Sequence, residues 1–239
     1  MSDQPRIFRV RTLVSPVRPY DWPFARERAA DIATHWKKLV TARPALFDGR
    51  VLMGRDIAVS DENGGVFSAS HFETSFSSFI AWRDFGFPDK SVFNTFAMGA
   101  LRSADGAFLL GEMGAHTANA GKVYFPAGTP DPDDVVGASV DLAGSVAREM
   151  REETGIDIDE CEIDPVWRIV IAGQRVACMR PLALPGRADA ICARVAAQIA
   201  REKEPELARL HPVRRMSDLE GCQTLDFIEA YLASEFATR

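Results

Sequence analysis

Nine consecutive residues constrain this chain more than any others: Arg148-Glu149-Met150-Arg151-Glu152-Glu153-Thr154-Gly155-Ile156. On a helix, Glu149 precedes Glu152 and Glu153 by three and four residues, the spacings that share one face. Like charges at those spacings repel by ~0.2–0.5 kcal/mol per pair. A helix has no local reason to carry such a cluster, so a cation is expected to offset it. A hard divalent ion such as Mg²⁺ or Mn²⁺ takes oxygen ligands and suits substrate phosphates as well. The rest of the helix is well made. Leu142, Val146 and Met150 repeat every four residues and supply an apolar stripe for packing. Asp141 suits the N-cap and the positive end of the helix dipole. Arg148 stands four residues before Glu152 and can pair with it. Gly155 suits the left-handed turn that ends a helix. The bland alternative is a solvated face laced with salt bridges, the usual meaning of a helix rich in Glu and Arg. The Gly155-Ile156 exit and the preceding Tyr124-Phe125-Pro126-Ala127-Gly128 count against it.

The wider sequence narrows the class. At 239 residues the chain is one domain, or one and a half, with length enough for a sizeable core. A hydrophobic fraction of 46% and a charged fraction of 26% belong to a soluble globular protein. The formal charge of -6 argues against a nucleic-acid partner, which would call for a basic face, and leaves room for a phosphorylated small molecule. Cys161, Cys178, Cys192 and Cys222 lack metal-ligand spacing and read as reduced. No secretory signal and no stretch long enough to span a bilayer are visible, so a cytoplasmic protein with no membrane partner is expected.

In chain order, Ile7 to Val14 alternates as a strand. Phe24 to Thr41 has a helical stripe ended by Arg43-Pro44. Val51 to Val59 and Val66 to Phe72 flank the turn Asp61-Glu62-Asn63-Gly64-Gly65 and read as a hairpin. Ser75 to Phe85 is a short helix. The texture changes at Phe93: Phe93 to Leu101, Ala107 to Glu112 and Lys122 to Phe125 read as strands. A loop rich in Asp and Pro, Thr129 to Asp134, then leads to the acidic helix. Val166 to Ala172 and Gln174 to Leu182 form a hairpin about Gly173, and Ala188 to Lys203 and Leu225 to Phe236 are helices. Pro205 to Arg215 is ambiguous.

The stretch Arg148 to Ile156 resembles the second half of the Nudix box, R-E-U-x-E-E-x-G-U, where U is a bulky apolar residue, and meets every fixed position. Tyr124-Phe125-Pro126-Ala127-Gly128 resembles the aromatic-Pro-Gly lead into that box. Between them the pattern departs. The box glutamate falls on Val140, the first box glycine falls on Asp134, and Thr129 to Val140 reads as an insertion. Asp141, one residue late, is a candidate stand-in for the missing glutamate. The resemblance implies an α/β (α+β) fold, an α/β/α sandwich around a mixed sheet with the acidic helix laid against it. Residues 93–239 would form that domain, and residues 1–92 a small N-terminal α/β extension packed on it.

The resemblance also implies Mg²⁺-dependent (or Mn²⁺-dependent) cleavage of a phosphoanhydride in a nucleoside diphosphate linked to another group. Glu149, Glu152 and Glu153 would be the metal ligands, with Glu149 and Glu152 catalytic and Arg148 orienting the carboxylates. The general base would be one of these or a later glutamate among Glu202, Glu204, Glu206 and Glu220. Gly128 and His116 are candidates for substrate contact, although a loop histidine is more often a plain surface residue. Trp36, Trp82 and Trp167 could stack a base, but core packing is the commoner role. Arg43, Arg50, Arg55 and Arg83 could grip phosphate or sugar, with solvated surface charge as the default. Substrates of the UDP-sugar, coenzyme A and ADP-ribose types stay open, as does a homodimer. The rival from another class is a catalytically silent module that binds a nucleotide as sensor or scaffold.

Overall fold

The computed structural model describes residues 4–44, 46–117 and 119–238. The chain starts with two short strands, β1 (Arg6–Val10) and β2 (Thr12–Val14), and two helices, α1 (Pro23–Glu27) and α2 (Ala29–Ala42). A hairpin of β3 (Arg50–Ser60) and β4 (Val66–Ser75) leads into α3 (Phe76–Asp84). Next come β5 (Val92–Ser103), β6 (Phe108–Met113), β7 (Lys122–Tyr124), and the two-residue strands β8 (Val135–Val136) and β9 (Ser139–Val140). The acidic helix is α4 (Leu142–Thr154), followed by β10 (Glu162–Ile163), β11 (Trp167–Ala172), β12 (Arg175–Leu184) and α5 (Ala188–Ile199). β13 (Leu207–Val213), β14 (Gln223–Thr224) and α6 (Asp226–Ala237) complete the order.

Twelve of these strands form one mixed sheet. Its main path runs β1-β11-β12-β5-β3-β4-β2, and a branch carries β13, β6, β7 and β14. The β12–β5, β2–β4 and β7–β14 pairs are parallel, and the β3–β4 and β11–β12 hairpins are antiparallel. Side chains alternate across a strand, so β5 shows where the layers lie. Gly99 faces Met150 of α4, while Phe96 faces Phe227 of α6 with ring centroids 5.6 Å apart. Helices therefore cover both faces, giving the expected mixed α/β/α arrangement.

The single strand expected over Ile7 to Val14 is two strands. The Gly65 carbonyl accepts from both Arg11 N and Thr12 N, and the chain turns away there. Gly65 has φ +95°, and a Cβ on it would press on the Arg9 carbonyl. As a result β1 pairs with β11 and β2 pairs with β4, at opposite ends of the main path. Only Arg11 separates them, so the path must curl until its ends nearly meet. The first helical stretch likewise breaks at Arg28, which closes α1 and opens α2. The ambiguous stretch Pro205 to Arg215 holds β13, paired antiparallel with β6.

Buried side chains fall into two clusters. The larger lies between the main sheet and helices α4 to α6, and takes Val10, Leu52, Phe67 and Ala69 from the N-terminal part. The smaller joins α1, α2 and α3 to the β3–β4 hairpin through Trp22, Phe24, Ile32, Phe72, Phe79 and Trp82. No helix among the described residues is long and apolar enough to cross a membrane.

Candidate metal centre and adjoining pocket

Helix α4 fixes the centre. Asp141 is the N-cap, accepting from Gly144 N at 2.9 Å, and Gly155 ends the helix in the left-handed conformation at φ +67°. Met150 packs onto β5 at Gly99, where the missing side chain lets the helix come close. With that face pinned, Glu149 and Glu153 are turned inward and are only 7% and 3% exposed.

A third carboxylate arrives from far along the chain. Glu206, just ahead of β13, offers an oxygen that lies within 4.8 Å of oxygens on Glu149 and Glu153. It is held in place because Gly114 N, past the end of β6, donates to the Glu206 carbonyl at 2.6 Å. Of the four late glutamates, Glu206 is the one in this group. Glu202 accepts instead from Gln198 at 3.2 Å, and Glu204 and Glu220, exposed like Glu206 itself, do not join the group. Glu152 stands outside the group, with its side chain 60% exposed and 3.3 Å from Arg148.

The electrostatics of the trio are unfavourable as it stands. Burial, reinforced by the neighbouring carboxylates, pushes the Glu153 carboxyl up to about 9. Burial also raises Glu149, to about 7, against the opposing pull of Arg148. Ala127 N donates to Glu153 Oε1 at 3.1 Å, while Glu153 Oε2 is buried without a partner among the described residues. Gly128 abuts the Glu149 carboxylate so closely that a Cβ would collide with it. The Ala127-Gly128 backbone is thus one wall of the centre.

Arg148 braces this wall from the other side. Its guanidinium reaches Glu149 at 2.7 Å and both oxygens of Asp134 at 3.0 and 3.1 Å. Asp134 is buried and closes its own short turn by accepting from Asp131 N. This corrects the stand-in expected at Asp141, whose carboxylate is spent on the helix cap. Val140 is buried in β9. The only trace of Asp134 in the sequence is the Asp131-Pro132-Asp133-Asp134 run.

Beyond Gly128 opens a pocket of about 300 Å³. Phe79 and Arg83 of α3, Asn94 and Phe96 of β5, and Phe227 of α6 line it, together with Lys122 and Arg175. Burial lowers the Lys122 ammonium, and the charges of Arg83 and Arg175 push it the same way, so three cations share this space. Asn119 holds Lys122 Nζ at 3.0 Å and the Tyr124 hydroxyl at 3.2 Å. His116 does not line the pocket; it is exposed on the turn after β6. Trp82 and Trp167 are core residues, and Trp36 edges a separate groove beside α2. Among the four arginines singled out in the sequence, Arg83 reaches the pocket. Arg50 pairs with Glu73, and Arg55 lies over the Tyr20 ring at 4.0 Å.

No family model and no curated protein matches the chain. Among solved structures, it is similar to a MutT protein from Methanosarcina mazei Go1, with 19% identity and a TM-score of 0.38, over 61% of this chain and 94% of that one. It is also similar to RenU, a Nudix hydrolase from M. smegmatis, with 13% identity and a TM-score of 0.38, over 60% of this chain and 84% of that one.

Proposed function

We propose that this chain is a Nudix-type pyrophosphohydrolase, dependent on a divalent cation, that cleaves a nucleoside diphosphate linked to another group. One observation carries the reading: two buried glutamates and an exposed third from just ahead of a distant strand converge, with a carboxylate oxygen of Glu153 left unpartnered among the described residues. Uncompensated carboxylates are costly to bury. A hard cation with oxygen ligands removes that cost, and the donor set fits Mg²⁺ or Mn²⁺.

Glu149, Glu153 and Glu206 would hold the ion, beside the Ala127-Gly128 backbone. When bound, such an ion neutralises phosphate oxygens and acidifies a coordinated water. The chain supplies the rest. Lys122, Arg83 and Arg175 draw the anionic substrate toward the centre, and Arg148, gripped by Asp134, keeps Glu149 in place. Glu152, the helix carboxylate open to solvent beside Arg148, would accept the proton of the attacking water.

The test is a panel of UDP-sugar, coenzyme A and ADP-ribose compounds with Mg²⁺, assayed for cleavage of the anhydride. At least one should turn over. Glu153→Gln should lose Mn²⁺ binding by calorimetry, because its carboxylate is a ligand. Glu152→Gln should keep Mn²⁺ affinity within about threefold while kcat falls by ~10²-fold or more, the scale of a lost acid–base group. Full turnover in Glu153→Gln, or metal binding indifferent to that change, would reject the assignment.

A further inference from the structure

We infer that the pocket between α3 and β5 seats the nucleobase of the substrate, with Asn94 and Arg175 as the residues that read its edge and α3 of the N-terminal part as an indispensable wall. Its orientation rests on the diphosphate reading above, because the phosphates must lie at the carboxylate centre. The pocket reaches Ala127, Gly128 and Thr129, and Gly128 touches Glu149. A molecule whose phosphates meet the carboxylates is therefore already at the pocket mouth.

The walls suit a flat ring. Phe79 lines it from α3, and Phe96 of β5 and Phe227 of α6, ring to ring at 5.6 Å, line it from the sheet and from the C-terminal helix. Aromatic faces and edges are favourable partners for a planar heterocycle. At about 300 Å³ the space lies at the small end of ligand pockets. It has room for a base and its ribose, and leaves the phosphates outside toward Gly128.

The polar groups suit a base edge. Asn94 and Arg175 are opposite each other in the β5–β12 register. Asn94 Oδ1 and Arg175 Nε are both closed off without a hydrogen-bond partner among the described residues. Arg175 uses another nitrogen, Nη2, on Asp226 at 2.8 Å. Leaving a buried acceptor and a buried donor unpaired on neighbouring strands is unfavourable. A ring edge with an N–H next to an acceptor satisfies both after a small rotation of either side chain, and nucleobases carry such edges. Arg83 and Lys122, which also line the pocket, are then left for the phosphates. Arg83 comes from α3, so the N-terminal part belongs to the site.

The test is metal-free. In EDTA, binding of UMP, CMP, AMP and GMP is compared by calorimetry with ribose 5-phosphate, which lacks only the base. At least one nucleotide should bind tenfold or more tightly than ribose 5-phosphate. Asn94→Leu and Phe79→Ala should each remove most of that advantage and leave ribose 5-phosphate binding unchanged. Arg83→Ala should weaken both ligands together. Retained Mn²⁺ affinity shows that each variant is folded. Nucleotides that bind no better than ribose 5-phosphate, or an advantage untouched by Asn94→Leu, overturns the inference even if the enzyme hydrolyses its substrate. Base-dependent binding without any hydrolysis upholds the pocket and rejects the hydrolase reading.

Discussion

At the scale of single residues, Gly128 shows how little space the centre leaves. Its φ is not in the left-handed region, so the backbone would tolerate a side chain. The obstacle is steric, because a Cβ meets the Glu149 carboxylate, itself held by Arg148 at 2.7 Å. Gly128→Ala should therefore displace the carboxylate and leave the fold intact. The expected result is a loss of Mn²⁺ affinity by tenfold or more in calorimetry, with Tm changed by only a few degrees. A variant that binds Mn²⁺ like the parent would show that Gly128 is merely a turn residue. The same scale marks where the sequence speaks clearly. Glu149 and Glu153 are readable because a four-residue spacing on a helix fixes their common face before any tertiary structure is known. Glu206 is not, because nothing local distinguishes it from Glu202 or Glu204. Its place is decided by the pairing of β13 with β6, strands about a hundred residues apart.

At the scale of elements, the loop ahead of α4 separates two aspartates that look interchangeable in sequence. Asp141 caps the helix through Gly144 N, and Asp134 takes Arg148 in a two-pronged pair. Asp141→Ala should cost about 1 kcal/mol of stability, the usual value of an N-cap, with catalysis nearly unchanged. Asp134→Ala should cut kcat by tenfold or more, because Arg148 loses the anchor that orients it beside Glu149. Measuring Tm and kcat for both variants checks the division, and a catalytic defect in Asp141→Ala larger than that in Asp134→Ala would reverse it. The helix, its cap and its glycine exit were legible because each depends on neighbours within a few residues. The Asp134–Arg148 pair spans 14 residues across the turn and short strands ahead of α4, so no periodicity announces it. The break at Arg11 was hidden for a related reason. One alternating run serves both β1 and β2, and only the approach of Gly65, fifty residues later, decides where it divides.

At the scale of the whole molecule, two buried features set opposite dependences on pH. His71, on β4 within the joined sheet, is 0% exposed, with Nδ1 3.1 Å from the Ala69 carbonyl and Nε2 unpaired among the described residues. Burial lowers its pKa from the ordinary 6.5 to about 4. The unfolded chain therefore takes up the proton first as pH falls from 6.5 toward 4. Stability is lost across that window, by about 3 kcal/mol at 1.36 kcal/mol per pH unit. Glu149 and Glu153 act in the opposite sense, because burial raises them to about 7 and about 9. Without a cation the folded chain holds their protons longer than the unfolded chain does. Their stabilising contribution is complete below pH 4.5 and is lost as pH rises through 7 and 9. Thermal unfolding in EDTA should thus show Tm falling between pH 6.5 and 9. Saturating Mg²⁺ should abolish that fall, since an ion held by ionised carboxylates favours the folded state more as protons leave. The double change Glu149→Gln with Glu153→Gln should flatten the EDTA profile above pH 6.5 and leave the acid limb to His71. If the parent's Tm in EDTA rises or stays level from pH 6.5 to 9, the two carboxylates are not buried as described, and the case for a cation between them fails with it.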